Sequence, residues 1–175
     1  MEKNYSALGL MSGTSMDGVD ASVIQSNGDS NYKALFNKYY KYNDELFKNL
    51  SNTRDKVNSS KDMLKMSNEI KYLEKEITIF HAKISNDIIK NSELNIDFIG
   101  FHGQTIFHNV KEKISKQLGD GNLLSQLTKK KVIYDFRQND LKNGGEGAPL
   151  TPIYHKLLVE QNMIKTPITI LNIGG

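Results

Sequence analysis

The sequence predicts an α/β domain in which three antiparallel strands precede alternating helices and strands. Three strand-like segments joined by short connections open the chain. A sustained apolar repeat at spacings of three and four follows, and then two short apolar runs that flank a brief helical one.

Residues 5–11 form the first strand, which ends in a loop rich in glycine and hydroxyls, Ser12-Gly13-Thr14-Ser15-Met16-Asp17-Gly18. Residues 21–25 form the second. The turn Ser-Asn-Gly-Asp-Ser at 26–30 leads into a third strand over 32–42, and connections this short give an antiparallel meander. Met63, Met66, Ile70, Leu73, Ile77, Phe80, Ile84 and Ile88 then fall on one helical face, with Ser59 and Asp62 as a capping pair, so one long amphipathic helix is expected. Residues 97–101 and 132–134 are short apolar runs with a brief helix over 122–127 between them, a β-α-β order that favours parallel pairing. Residues 150–161 read as a helix that tolerates Pro152 in its first turn, and 167–173 as a last strand before Gly174-Gly175. Three antiparallel strands followed by alternating helices and strands is the order of the ribonuclease-H-like fold, with residues 1–165 as its domain.

A chain of 175 residues with 38% hydrophobic and 25% charged residues is the size of one globular domain. Its apolar runs are a few residues long, against the roughly 20 needed to cross a bilayer. The N-terminus has no signal-peptide pattern, since Gly9 interrupts a short apolar stretch. A cytoplasmic protein with no membrane association is expected. The absence of cysteine excludes thiolate metal sites and cysteine nucleophiles. Of 23 basic residues only Arg54 and Arg137 are arginine, and the lysines are scattered, so no nucleic-acid partner is inferred. Arg54, in a polar stretch, reads as solvated.

Three segments carry chemistry. Residues 9–20 (GLMSGTSMDGVD) place glycines, hydroxyls and an Asp after a strand, a backbone suited to phosphate oxygens with a carboxylate for Mg2+; a plain hairpin turn is the alternative. No Gly-Lys-Ser/Thr follows, so this is not a Walker loop. Residues 100–108 (GFHGQTIFH) put polar groups after a buried strand, where α/β sheets bind ligands, although each His can equally be structural. His81, beside the apolar stripe, reads as structural or exposed, and His155 has no assignment. Residues 135–150 (DFRQNDLKNGGEGAPL) combine two carboxylates, an arginine and clustered glycines between a strand and a helix. One Asp is a candidate general base and Arg137 an anion contact; alternatively Asp135 or Asp140 caps a helix or pairs with Arg137.

These segments, with LGDGN at 118–122 and the terminal LNIGG, resemble the anhydro-N-acetylmuramic acid kinase family in the same order. The resemblance implies the first domain of an actin-like ATPase fold. It also implies an ATP- and Mg2+-dependent enzyme that hydrolyses the 1,6-anhydro bridge of anhydro-N-acetylmuramic acid and phosphorylates the released oxygen. On that resemblance Gly13, Thr14, Ser15, Met16, Asp17, Gly18, Val19 and Asp20 are the ATP-binding segment, with Asp17 beside the metal. Asp140 is the catalytic base, and His102, Gln104, Thr105 and Arg137 line the sugar side. Glu146 stands where the family pattern leads one to expect glutamine. The family is about twice as long, so residues 166–175 read as the first strand of a second domain and the chain as a truncated or split enzyme. Its expected partner is a separately encoded C-terminal half or a second copy. An inactive remnant and a non-enzymatic sugar- or partner-binding module are the alternatives.

Overall fold

The computed structural model describes residues 3–171. Along the chain run β1 (Tyr5–Ser12), β2 (Gly18–Ser26), β3 (Tyr32–Lys41), α1 (Asp44–Lys56), α2 (Ser60–Lys65), α3 (Ser67–Asn91), β4 (Phe98–Asn109), β5 (Ile114–Leu118), α4 (Gly121–Thr128), β6 (Lys131–Tyr134), α5 (Gln138–Lys142) and α6 (Pro152–Gln161). The strands form one mixed sheet in the order β3-β2-β1-β4-β5, with β6 also on β4. The meander is antiparallel and β4 runs parallel to β6, as the sequence predicts, and β4 also runs parallel to β1 on its other side.

Alternation along β1 buries Leu8, Leu10 and Ser12, and β2 and β4 add Ala21, Val23, Ile99 and Phe101 to the same core. Leu46, Leu50, Leu73, Ile77, Ile84 and Leu124 from the helices complete it. Each such Leu or Ile, fully buried, contributes about 1.5–3 kcal/mol.

Several features differ from the sequence reading, among them the short helix α5 inside 135–150, for which no helix was expected. Helix α1 was not anticipated, although Asn43 caps it by accepting from the Leu46 amide at 2.7 Å and Leu46, Leu50 and Thr53 repeat on its buried face. The single long helix is two, α2 and α3, meeting at Met66, whose ψ of 18 leaves the helical range; Met63 and Met66 both stay packed on the core across the break. Strand β4 is 12 residues long and pairs antiparallel with β5, which was also unforeseen. Its polar half, His102 to Asn109, lacks the apolar pattern of an isolated strand and is extended because β5 supplies ladder partners. Residues 167–171 are not a strand, because no strand among the described residues hydrogen-bonds with them; the rest of that expected strand, at 172–173, and Gly174-Gly175 lie outside the described residues.

Among the described residues no helix is long and apolar enough to cross a membrane.

Candidate functional site

Strand register brings the three segments to one place. Leu10 lies opposite Phe101 across β1 and β4, and Phe101 opposite Tyr134 across β4 and β6. Residues after Ser12, Phe101 and Tyr134 therefore emerge together at the carboxyl edge of three parallel strands, where open α/β sheets bind ligands.

The first loop, 13–17, is tied to the core at both ends. The buried Ser12 hydroxyl lies 2.8 Å from the Tyr42 hydroxyl and 3.3 Å from His81 Nε2. His81 Nδ1 lies 2.7 Å from the Ile77 carbonyl, which can only accept, so Nδ1 carries the proton and Nε2 accepts from Ser12. Tyr42 then donates to Ser12, and the buried chain is satisfied throughout. Burial holds the His81 pKa down to about 4, and burial pushes the Tyr42 hydroxyl above its ordinary value. The Tyr42 amide also donates to the Asp17 carbonyl at 2.8 Å, so one residue fastens both ends of the loop.

Within the loop, Thr14, Ser15 and Asp17 are exposed. Ser15 donates to Asp17 Oδ1 at 2.5 Å, and this bond, with smaller help from Tyr39 and Lys41, holds the Asp17 carboxyl below the usual range. Met16 is fully buried at φ 60, Val19 is core, and Gly18, Val19 and Asp20 already belong to β2, Asp20 with its side chain exposed. Arg54, expected to be solvated, donates to the Thr14 carbonyl at 3.3 Å while pairing with Asp55.

Strand β4 is irregular beside this loop, with Met11 opposite the pair His102 and Gly103 before Ser12 meets Gln104. Gly103 takes φ +71, and a Cβ there would collide with the Leu118 carbonyl, so glycine permits the bulge. The bulge separates its neighbours' roles. Gln104, fully buried, donates from Nε2 to the Gly13 carbonyl at 2.8 Å, while its Oε1 has no partner among the described residues. His102 belongs instead to the third segment. Its Nδ1 donates to the Gly103 carbonyl at 2.8 Å, and Nε2 accepts from Arg137 Nε at 3.1 Å and Nη2 at 2.9 Å. Burial, reinforced by the adjacent guanidinium, lowers the His102 pKa and keeps the ring neutral. Thr105 joins neither group; its hydroxyl accepts from Gln117 on β5.

Arg137 also donates to the Gly147 carbonyl at 2.8 Å, which closes the glycine loop over α5. Asp140, exposed on α5, accepts the Gly147 amide on Oδ2 at 2.7 Å, leaving Oδ1 without a partner among the described residues. Gly145 lies directly against this carboxylate, and any Cβ there would run into it. The carboxylate is thus oriented by backbone with one oxygen open, an arrangement suited to accepting a proton. Asp135, exposed at φ 58, lines a cavity of about 240 Å3 with Phe101, His102, Gln117, Tyr134 and Gln138. Glu146 is exposed.

The donors fit a Mg2+-bound phosphate. Among the described residues no three His, Asp or Glu side chains cluster to hold a metal, and Asp17 offers one ionised, exposed carboxylate, which suits a Mg2+ held largely by phosphate oxygens and water.

Sequence reasoning gave Tyr42 and His81 no part in this site and missed the bond of Arg54. Their partners lie 30, 69 and 40 residues away, and no local pattern marks such contacts.

A family model described as anhydro-N-acetylmuramic acid kinase matches residues 5–175. Proteins named anhydro-N-acetylmuramic acid kinase match as well: one from Pelagibacter ubique is 62% identical over all 175 residues, one from Zymomonas mobilis 40% and one from Brucella canis 37%, the latter two over 97% of the chain. The chain covers 47% of each of these relatives, about half their length.

Proposed function

The chain belongs to the anhydro-N-acetylmuramic acid kinase family, and from that premise we propose that it supplies one wall of the cleft of a cytoplasmic kinase for anhydro-N-acetylmuramic acid. The fold in this reading is a ribonuclease-H-like first domain of an actin-like ATPase, which the parallel pairing of β4 with β1 and β6 supports. The facing wall comes from residues beyond these 175, carried on the same or a second polypeptide.

The observation that carries the reading is the Asp140 carboxylate, fixed by the Gly147 amide and pressed against Gly145, at the same sheet edge as the hydroxyl-rich loop. Asp140 Oδ1 takes a proton from a water whose oxygen bonds to the anomeric carbon as the bond from that carbon to the bridging oxygen breaks. The released oxygen attacks the γ-phosphorus of ATP, and the bond to the ADP oxygen breaks in line. Thr14, Ser15 and the adjoining backbone hold phosphate oxygens, and Asp17 holds Mg2+, which neutralises phosphate charge when bound. Arg137 keeps two N–H groups beyond those given to His102 and Gly147, enough for an acidic substituent of the sugar.

The test is a fusion of these 175 residues to the C-terminal half of the Pelagibacter relative, given Mg·ATP and the anhydro sugar, with product read by mass spectrometry. Formation of the 6-phosphate, reduced about 10²-fold or more by Asp140→Asn with ATP binding retained, is the expected result. An inactive fusion beside an active, unaltered relative would overturn the proposal, and retained turnover in Asp140→Asn would remove Asp140 from its role.

A further inference from the structure

The peptide groups of the first loop are oriented by side chains outside it. The Gly13 carbonyl accepts from Gln104 Nε2 at 2.8 Å and from the Met16 amide at 3.2 Å, and the Thr14 carbonyl accepts from Arg54 at 3.3 Å. In a trans peptide the carbonyl and the next N–H point in opposite directions. Fixing the Gly13 carbonyl against the buried Gln104 turns the Thr14 N–H away from the protein, and fixing the Thr14 carbonyl on Arg54 turns the Ser15 N–H away from α1. Neither amide has a partner among the described residues. Free, successive N–H groups in a tight loop form a concavity for anions.

We infer that Gln104 and Arg54 are positioning residues for phosphate binding: they pin the Gly13 and Thr14 carbonyls and so present the Thr14 and Ser15 amides to a nucleotide phosphate. Gln104 therefore serves the phosphate side rather than the sugar side. Its amide orientation follows from chemistry, since only the NH2 group can face the Gly13 carbonyl. Its position follows from the bulge at Gly103, which sets Gln104 opposite Ser12 at the mouth of the loop. Among the described residues the Gly13 carbonyl is the one hydrogen-bond partner of the Gln104 side chain. Arg54 reaches the next carbonyl from α1, so consecutive peptide groups are pinned by two separate elements. The ligand assignment rests on the kinase reading above, whereas the pinning of the loop does not.

The experiment uses wild type, Gln104→Met and Arg54→Met, as the fusion to the C-terminal half of the Pelagibacter relative for ligand titration and as the 175-residue chain for hydrogen exchange. Mg·ATP and anhydro-N-acetylmuramic acid are titrated separately by calorimetry, and amide hydrogen exchange is followed by NMR. Gln104→Met is expected to weaken Mg·ATP about tenfold and Arg54→Met about threefold, with sugar binding unchanged within about twofold. Exchange of the Met16 amide, which depends on the Gly13 carbonyl, should accelerate in Gln104→Met relative to Ile99 in the core of the sheet. Loss of sugar binding with Mg·ATP binding intact would overturn the inference. So would equal losses for both ligands in Gln104→Met with no change in Arg54→Met, or Met16 exchange that merely follows Ile99. If the wild-type fusion binds neither ligand, the kinase reading falls, and Met16 exchange in the 175-residue chain alone decides the pinning.

Discussion

The loop 13–17 and the loop around Asp140 leave the same sheet edge, yet they are anchored over very different distances. The first is held by partners 30 to 91 residues away: Tyr42 and His81 on Ser12, Arg54 on Thr14 and Gln104 on Gly13. The second is held mostly within itself, by Asp140 to Gly147 at a separation of 7 and Arg137 to Gly147 at 10; its more distant ties are His102 on Arg137 and Gln138, which accepts from the Ser115 amide and donates to the Lys113 carbonyl. A loop fastened by core contacts, as 13–17 is, has the stability of the core. The loop around Asp140, closed mainly by glycines and one guanidinium, has a lower local stability and can adjust without disturbing the sheet.

The sharpest way to break this contrast is Gly145→Ala. The added methyl must displace the Asp140 carboxylate, and misplacement of a base by about 1 Å costs on the order of 10²-fold in rate. In the active fusion the rate should fall while the unfolding midpoint of the isolated chain hardly moves. A large drop in thermal stability instead would show that the second loop is part of the core framework.

Acid should act on the first loop's anchor. His81 is fully buried with its pKa lowered from 6.5 to about 4, so between those values the unfolded chain binds the extra proton. Stability from this residue is complete above about pH 6.5 and is lost as pH falls towards 4, by about 3 kcal/mol in all. The His102 shift has the same sign, while the lowered Asp17 and Asp62 act below 3.8. Urea unfolding at pH 7 and pH 4.5, with the His81 ring followed by NMR, checks this; a His81 titrating near 6.5 would refute the buried, neutral assignment.

Ser12→Ala leaves the Tyr42 hydroxyl and His81 Nε2 buried without their shared partner, and should cost about 1–3 kcal/mol in denaturant unfolding. The loss should fall on Mg·ATP binding more than on sugar binding. An unchanged unfolding free energy would mean that the buried chain contributes nothing to the anchor.

The smallest effect is at Glu146, exposed in the glycine run beside Asp140. Glu146→Gln removes one negative charge in solvent, where screening limits its reach, and should tighten an acidic sugar about two- to fivefold without altering stability. Equal affinity in the two proteins would place the acidic group of the sugar away from this loop.

The same contrast governs what could be read in advance. The second loop was visible because its anchors are its own residues: glycines clustered after an aspartate in 140–147 signal a backbone shaped around that side chain. The glycine and hydroxyl pattern marked the first loop as well, but nothing nearby named Tyr42, His81 or Arg54 as its supports. Strand β5 escaped notice for a related reason, since Ile-Ser-Lys-Gln-Leu becomes a strand only beside the polar half of β4. The strand expected over 167–173 is the converse, a β-prone sequence whose described residues have no edge to join.

The sequence by itself determined the meander, the β-α-β order, the apolar face of α3 and the three chemical segments, because periodicity and turn chemistry act over a few residues. Tertiary structure alone decided that the three segments share one edge, that Gln104 turns to the first loop and His102 to the third, and that His81 is neutral. Each of those outcomes depends on register, on a bulge or on burial among residues distant in the chain, and such contacts leave no local periodic trace.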